Sequence, residues 1–528
     1  MGENGTMNPT LQQKETDHAQ APHLVAGLGL FSSTALVVGS MIGSGIFIVD
    51  AEIARSTGSP ALLVAAWLLT AVLTMIGALS YGELAAMMPK AGGQYVYLRE
   101  SLGPLWGFLY GWTFFLVIQT GTIAAVAVAF GKFLGVFFPA ISSNHWLWKI
   151  CTVPTVTLGP IALGGMQIGV NTANLVAIFV VILLAVVNIF GVALGALIQN
   201  VFTTAKALSL AGLILLAFTV GLNHEAVAAN FGANFWRNCF GATHAVTVGV
   251  GGPVALVSSL VIVAVAQVGS LFSSDAWNSI TFTAGEVRNP KRNLPLSLVL
   301  GTGFVSLVYL LCTFSYLVVL PMSGDAHGAT LVARGMAFAT EDRVGTAVLE
   351  QIMHSAGAWV MAAAILVSTF GCANGLSLSG ARVYYAMSQD GLFFKAVGRL
   401  HPRYKTPAVA LLVQAAWATV LCISGSYGQL LDYIIFAVLV FYILTIAGLF
   451  VLRVKRPEAP RPYRALGYPV LPALYILLAG SICIVLLRYK PQYTWPGLAL
   501  VLLGIPVYRF WSHPSARKAQ ASDPSSID

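Results

Sequence analysis

The chain has 528 residues, of which 57% are hydrophobic and 9% charged, against roughly 25% charged in an ordinary soluble protein. A water-soluble fold is excluded, and because a helix needs about 20 apolar residues to cross a bilayer, this content allows on the order of a dozen crossings. The net charge of +9 does not call for nucleic acid, since Lys and Arg gather on the cytoplasmic side of membrane proteins for topological reasons.

Residues 1–23 contain Glu3, Lys14, Glu15, Asp17 and His18 without an apolar core, so they read as a disordered cytoplasmic tail and not as a secretory signal. Apolar runs then predict helices over residues 28–49, 60–87, 103–135, 169–190, 198–221, 254–284, 295–320, 356–388, 407–424, 428–452, 468–488 and 494–511. The fold expected is an all-α membrane protein of twelve transmembrane helices in one domain, residues 24–511. The segment from Pro89 to Gly103 is too polar to cross and predicts a short interfacial helix, and residues 512–528 read as a second disordered tail. An even number of spans puts both tails on one face. Nineteen of the 28 Lys and Arg residues fall on that face, which makes both termini cytoplasmic in a plasma (cytoplasmic) membrane.

The first and sixth spans are interrupted by small or polar residues, Gly43-Ser44-Gly45 and Ser273-Ser274-Asp275. Two broken spans five apart point to a 5+5 inverted repeat, about 24–221 and 254–452, followed by two extra helices at about 468–511. At the first break, glycines let the backbone leave helical geometry, and the amides of the next half-helix would hold a carboxylate; Gly39 and Gly43 would equally serve close helix packing. Asp275, roughly two-thirds of the way along span six, is a costly mid-bilayer carboxylate that needs a cation, a cavity or a proton. Phe272 either covers a ligand from outside or packs, while Trp277 and Asn278 cap the inner half-helix.

Lys206 reads as lying one to two turns into span five. It is either an interfacial snorkeller or an ammonium occupying a place where a sodium ion would bridge spans. Glu83 is a structural partner for a loop or a proton site, and Asn374 lines the cavity or joins spans. No cysteine spacing or histidine pair suggests a metal or cofactor, and Cys151 and Cys239 lie in loops where pairing is open. With Glu83, Lys206 and Asp275 as the intramembrane ionisable residues, a channel lacks its polar stripe, and no catalytic constellation supports an enzyme.

The chain resembles the amino acid–polyamine–organocation (APC) transporters, closest to the L-type (LAT-like) branch. The resemblance rests on residues 38–47 (VGSMIGSGIF), 81–85 (YGELA), 92–97 (GGQYVY), 103–108 (GPLWGF), 275–278 (DAWN), 286–290 (EVRNP), 374–375 (NG), 389–393 (QDGLF) and 461–464 (RPYR). It implies an α-amino acid bound at the two breaks: Gly43, Ser44 and Gly45 at its carboxylate, carbonyls around Phe272, Ser273 and Asp275 at its amine, Met41 and Ala373 facing its side chain, and Phe272 as outer gate. Lys206 matches the family lysine that stands in for sodium. The implied activity is sodium-independent exchange or uptake of neutral and possibly cationic amino acids, with proton-coupled uptake or a non-transporting sensor as alternatives. The pattern departs from the family at Ala276, where glycine is usual, and at Ser274, where an aromatic is usual. No heavy-chain partner is expected, although Cys151 lies in the loop where animal relatives carry the linking cysteine.

Overall fold

The computed structural model describes residues 24–511 except 160, 164–166, 250–251 and 425–426. Both predicted tails, 1–23 and 512–528, lie outside the described residues.

Helix α1 (Leu30–Met41) ends where Ile42 turns extended. After a single 3-10 turn at Gly45–Phe47 the chain resumes as α2 (Val49–Thr57), with Asp50 and Glu52 in its first turn and Arg55 in its last, matching the helix dipole. Gly58, at φ 59°, closes α2 in the left-handed conformation. The first span thus runs eight residues beyond the predicted end at 49, and carries Asp50 into the protein.

Proline at the first turn starts both α3 (Pro60–Met87) and α5 (Pro104–Thr113). Between them lies α4 (Gln94–Leu102), the expected interfacial helix. A π-helical turn at Phe114–Ile118 joins α5 to α6 (Gln119–Leu134). Such turns in transmembrane helices commonly mark functional sites, and here Phe114, Ile118, Gln119 and Thr122 face an internal gap.

The all-α expectation fails in the loops. Strands β1 (Trp146–Thr152) and β4 (Gln167–Asn171) pair antiparallel, with Trp146 opposite Asn171, and enclose β2 (Val156–Leu158) paired with β3 (Ile161–Leu163). Helices α7 (Thr172–Ile189), α8 (Val192–Thr219) and α9 (His224–Asn230) follow. Then β5 (Thr243–Thr247) pairs with β6 (Val254–Ser258). The predicted start of span six at 254 is therefore wrong: its β-branched, apolar first residues form β6, and α10 (Ser259–Ser273) begins only afterwards. Span five, predicted from 198, starts six residues earlier, after Gly191 at φ 129°.

Past the second break come α11 (Ser279–Phe282), α12 (Pro290–Val319), α13 (Leu331–Arg334), α14 (Val344–Met353) and α15 (Ser355–Gln389). Helices α16 (Ala408–Ser424), α17 (Tyr427–Lys455), α18 (Val470–Tyr489) and α19 (Pro491–Trp511) complete the described chain. Among the described residues eight helices are long and apolar enough to cross a membrane, and α1, α10 and α16 are shorter apolar helices.

The distribution of side chains is that of a membrane protein. Helix α8 exposes Leu197, Val201, Leu208 and Leu215 while burying Gln199, Thr203 and Lys206, the arrangement expected when the outer solvent is hydrocarbon. The broken helices sit at the centre: α1 packs on α8, α12 and α15, and α10 on α2, α3 and α18. The three hairpins share one face; the loops after α3, α11, α15 and α17, rich in Arg and Lys, share the other.

Candidate functional site at the two helix breaks

Ending a helix inside a membrane strands its last carbonyls. Here every carbonyl from Gly39 to Gly43 receives a side-chain donor. Lys206 Nζ donates to Gly39 O (2.8 Å), Ile42 O (2.7 Å) and Ser368 O (3.0 Å). Cys372 Sγ meets Ser40 O at 3.1 Å, and Tyr309 Oη meets Met41 O at 3.1 Å. Ser368 Oγ reaches Ile42 O (3.1 Å) and Gly43 O (2.8 Å). These donors come from α8, α12 and α15, so the break is held open by three neighbouring helices. The amides of Gly43 and Gly45, by contrast, meet no acceptor among the described residues.

Lys206 is not one to two turns into its span. With α8 starting at Val192, fourteen residues at about 1.5 Å each place it near the bilayer midplane, fully buried. That rules out snorkelling and makes the ammonium part of the break.

At the second break, Ser274 and Asp275 amides still bond back into α10, but Ala276 adopts φ 63° and the helix cannot continue. Tyr442 Oη on α17 donates to Asp275 Oδ1 at 2.6 Å, and no cation pairs with Asp275 among the described residues. Trp277 packs between Tyr81 (4.7 Å) and Tyr442 (5.2 Å). Asn278 Nδ2 donates to Gln94 Oε1 at 2.8 Å, fixing α4 to the break. The two breaks touch: a Cβ on Gly45 would lie 2.2 Å from Ser273 Oγ, and the Tyr309 hydroxyl also reaches Ser273 O at 3.0 Å, bridging one break to the other.

Met41, Gly43, Ser44, Gly45, Phe272, Ser273 and Asp275, all singled out from sequence, line a single gap together with Thr122, Ala276 and Cys372. About 20 Å³ of it is open to a water-sized sphere, room for about one water, so the gap is closed tight in this conformation. Ser44 is also the floor of a vestibule of about 630 Å³ that opens toward the hairpin face. On the other side, Asp275 and Tyr442 border a second closed gap with Gln119, Phe282 and Leu376.

The basic face is sealed. Arg382 Nε and Nη2 each lie 2.9 Å from a Glu286 carboxylate oxygen, both side chains buried, and the backbone amides of Gly27 and Leu28 donate to Glu286 O. Tyr95 and Arg99 on α4 both hold Asp390.

Two predicted pocket residues are elsewhere. Asn374 donates to Gly195 O (3.1 Å) and Gln199 Oε1 (3.0 Å) and accepts from Asn188 Nδ2 (3.1 Å), so it joins α15 to α7 and α8. Ala373 is buried in the apolar cluster formed by α6, α7, α15 and α16. The reason is helical phase: Cys372 and Leu376, four apart, share the face toward the breaks, and 373 and 374 turn away from it. Glu83 is also remote from the breaks, held by Arg453 (2.6 and 3.0 Å), the Ala465 amide (2.7 Å) and Arg461 (3.3 Å), the geometry of a structural clamp on the loop after α17. Sequence reasoning missed Tyr309, Ser368, Tyr442 and Asp50. Asp50 accepts from Trp67 Nε1 (2.6 Å) and Thr313 Oγ1 (3.1 Å); its charge was a usable signal, lost because the first span was ended at residue 49, eight residues before its true end. Cys151 and Cys239 are both free thiols.

Comparison with known proteins follows the same lines. The profile of the family described as "Amino acid permease" matches residues 28–507. The human b(0,+)-type amino acid transporter 1 is 28% identical over 518 residues, covering 97% of this chain and 94% of that protein. The mouse large neutral amino acids transporter small subunit 2 is 29% identical over 494 residues, covering 92% and 81%. The serine/threonine exchanger SteT of Bacillus subtilis (strain 168) is 28% identical over 495 residues, covering 93% and 98%.

Proposed function

Because the chain belongs to the amino acid permease family, we propose that this membrane transporter moves α-amino acids by alternating access without sodium, exchanging one for another across the plasma membrane. Its relatives are transporters and not enzymes. The amides of Gly43 and Gly45, at the start of the outer half-helix, bind the carboxylate. Asp275 and the carbonyls at the end of α10 bind the ammonium, and Met41, Phe272 and Cys372 bound the side chain. Phe272 serves as the outer gate.

The observation that carries the reading is the Lys206 ammonium on Gly39 O, Ile42 O and Ser368 O. A fixed cation already occupies the carbonyls where a mobile one would bridge the first break to α15, so no sodium is required there. The topology proposed is twelve spans. Two five-span repeats begin at the broken helices α1–α2 and α10–α11, and α18 and α19 are added after them. The concentration of Arg and Lys on the face opposite the hairpins supports a cytoplasmic location for that face and for both termini. The carrier acts without a heavy chain.

Purified protein in liposomes is expected to exchange labelled for unlabelled amino acid equally well in sodium and in choline. Absence of exchange across the twenty amino acids and common polyamines would overturn the reading. The buried acid Asp275, paired with a neutral phenol, favours one second reading, proton-coupled uptake; there an imposed inward pH gradient raises accumulation, and in an exchanger it does not.

A further inference from the structure

The vestibule above Ser44 has the size and charge of a binding site in its own right. Its 630 Å³ falls within the roughly 300–1,000 Å³ typical of small-molecule pockets. It shares only Ser44 with the gap between the breaks. Lys132 and Phe133 at the end of α6, Ser142 in the following loop, and Glu341 and Arg343 before α14 form its wall.

That wall is built in advance. The Arg343 guanidinium stands 5.0 Å from the Phe133 ring centroid and is paired with Glu341. Thr172 fixes the loop through Ser142 N (2.9 Å) and Ala140 O (2.8 Å). Glu341 and Asp342 both adopt left-handed backbone, φ 53° and 60°, and Asp342 forms an ion pair with Arg55 at 2.5 Å. Arg55 belongs to α2, the outer half of the first broken helix, and also donates to Ala337 O at 2.6 Å.

Two cations and one anion around one cavity leave a net positive charge that attracts the carboxylate end of a zwitterion, and the Arg343–Glu341 pair presents an acid that a ligand's ammonium can share. We propose that the vestibule is an outer binding site for an α-amino acid, with Lys132 and Arg343 taking the carboxylate and Glu341 the ammonium, occupied before transfer to the breaks. Entry carboxylate-first brings that group to Ser44, beside the Gly43 and Gly45 amides. The Asp342–Arg55 pair links the occupied wall to α2. This inference rests on the transport reading above.

The test compares right-side-out with inside-out membrane vesicles from cells expressing the full chain, assaying uptake of a neutral amino acid. The Lys132→Gln/Arg343→Gln double variant is expected to raise KM at the hairpin face about tenfold, to flatten its dependence on ionic strength, and to leave Vmax and the KM at the opposite face unchanged. Lys132→Arg and Arg343→Lys, which keep the charges, retain the wild-type KM and guard against a folding artefact. An unchanged KM, or an equal change at both faces, overturns the assignment. Wild-type vesicles that transport no amino acid at either face would instead overturn the transport reading, and the outer site with it.

Discussion

The Tyr442 hydroxyl lies 2.6 Å from Asp275 Oδ1, so the one acid at the second break is held by a neutral donor from α17, with no cation paired to it among the described residues, and its carboxyl group faces whatever enters the gap. Asp275→Asn preserves an acceptor for the phenol and removes only the acid's charge. The expected outcome is a shift of at least about tenfold in the ratio of cationic to neutral substrates, the equivalent of about 1.4 kcal/mol, read by competition of lysine and leucine against a labelled substrate. An unchanged ratio removes Asp275 from the pocket.

Lys206→Ala removes a donor from three buried carbonyls, of which Ile42 O keeps the Ser368 hydroxyl. Flux is expected to fall at least about tenfold, since an unsatisfied buried group costs about 1–3 kcal/mol. If the ammonium stands in for an ion, the residual flux becomes sensitive to sodium or potassium, whereas wild type ignores the exchange of sodium for choline. Wild-type flux without ion dependence in this variant would refute the role.

Ala276 sits at φ 63°, where an L side chain costs about 1–2 kcal/mol. Ala276→Gly removes that strain but gives the unfolded chain more freedom, a loss of about 0.5–1 kcal/mol. The net is a gain of roughly half a kcal/mol, measurable as a small rise in Tm in detergent. Ala276→Val goes the other way, because a β-branched residue suits this conformation worse. Equal stability of all three would mean that the backbone at 276 is not held left-handed.

Breaking the buried Arg382–Glu286 pair leaves a charge stranded, so Arg382→Met is expected to destabilise by about 3–5 kcal/mol. Adding Glu286→Gln to it recovers part of the loss, because the stranded carboxylate goes. Thermal unfolding of the purified variants decides: no recovery in the double variant would mean the pair matters for packing and not for charge.

The first break was legible because two glycines flank a serine in mid-span and the sixth span is interrupted in the same way, although the glycines alone suit close packing equally well, and Asp275 because a carboxylate there has few tolerable surroundings. Lys206 was legible as an oddity, but its depth was misjudged by about two turns, since the start of α8 follows an unremarked Gly191 at φ 129°. The hairpins were missed because their strands lie in loops where short apolar runs look alike whether they pair or not. Asn374 and Ala373 were assigned to the pocket by neighbourhood in sequence, and the helix turned them aside.

Composition and the spacing of small and charged residues were enough to decide the solvent and the two places where a helix has to stop, because each is a local matter of transfer energy and backbone freedom. Which donors answer the stranded carbonyls depended on the packing of α8, α12 and α15 around α1. Tyr309, Ser368 and Cys372 are ordinary residues in their own segments, and they acquire a role only when three helices bring their polar atoms within hydrogen-bond distance of one broken strand of backbone.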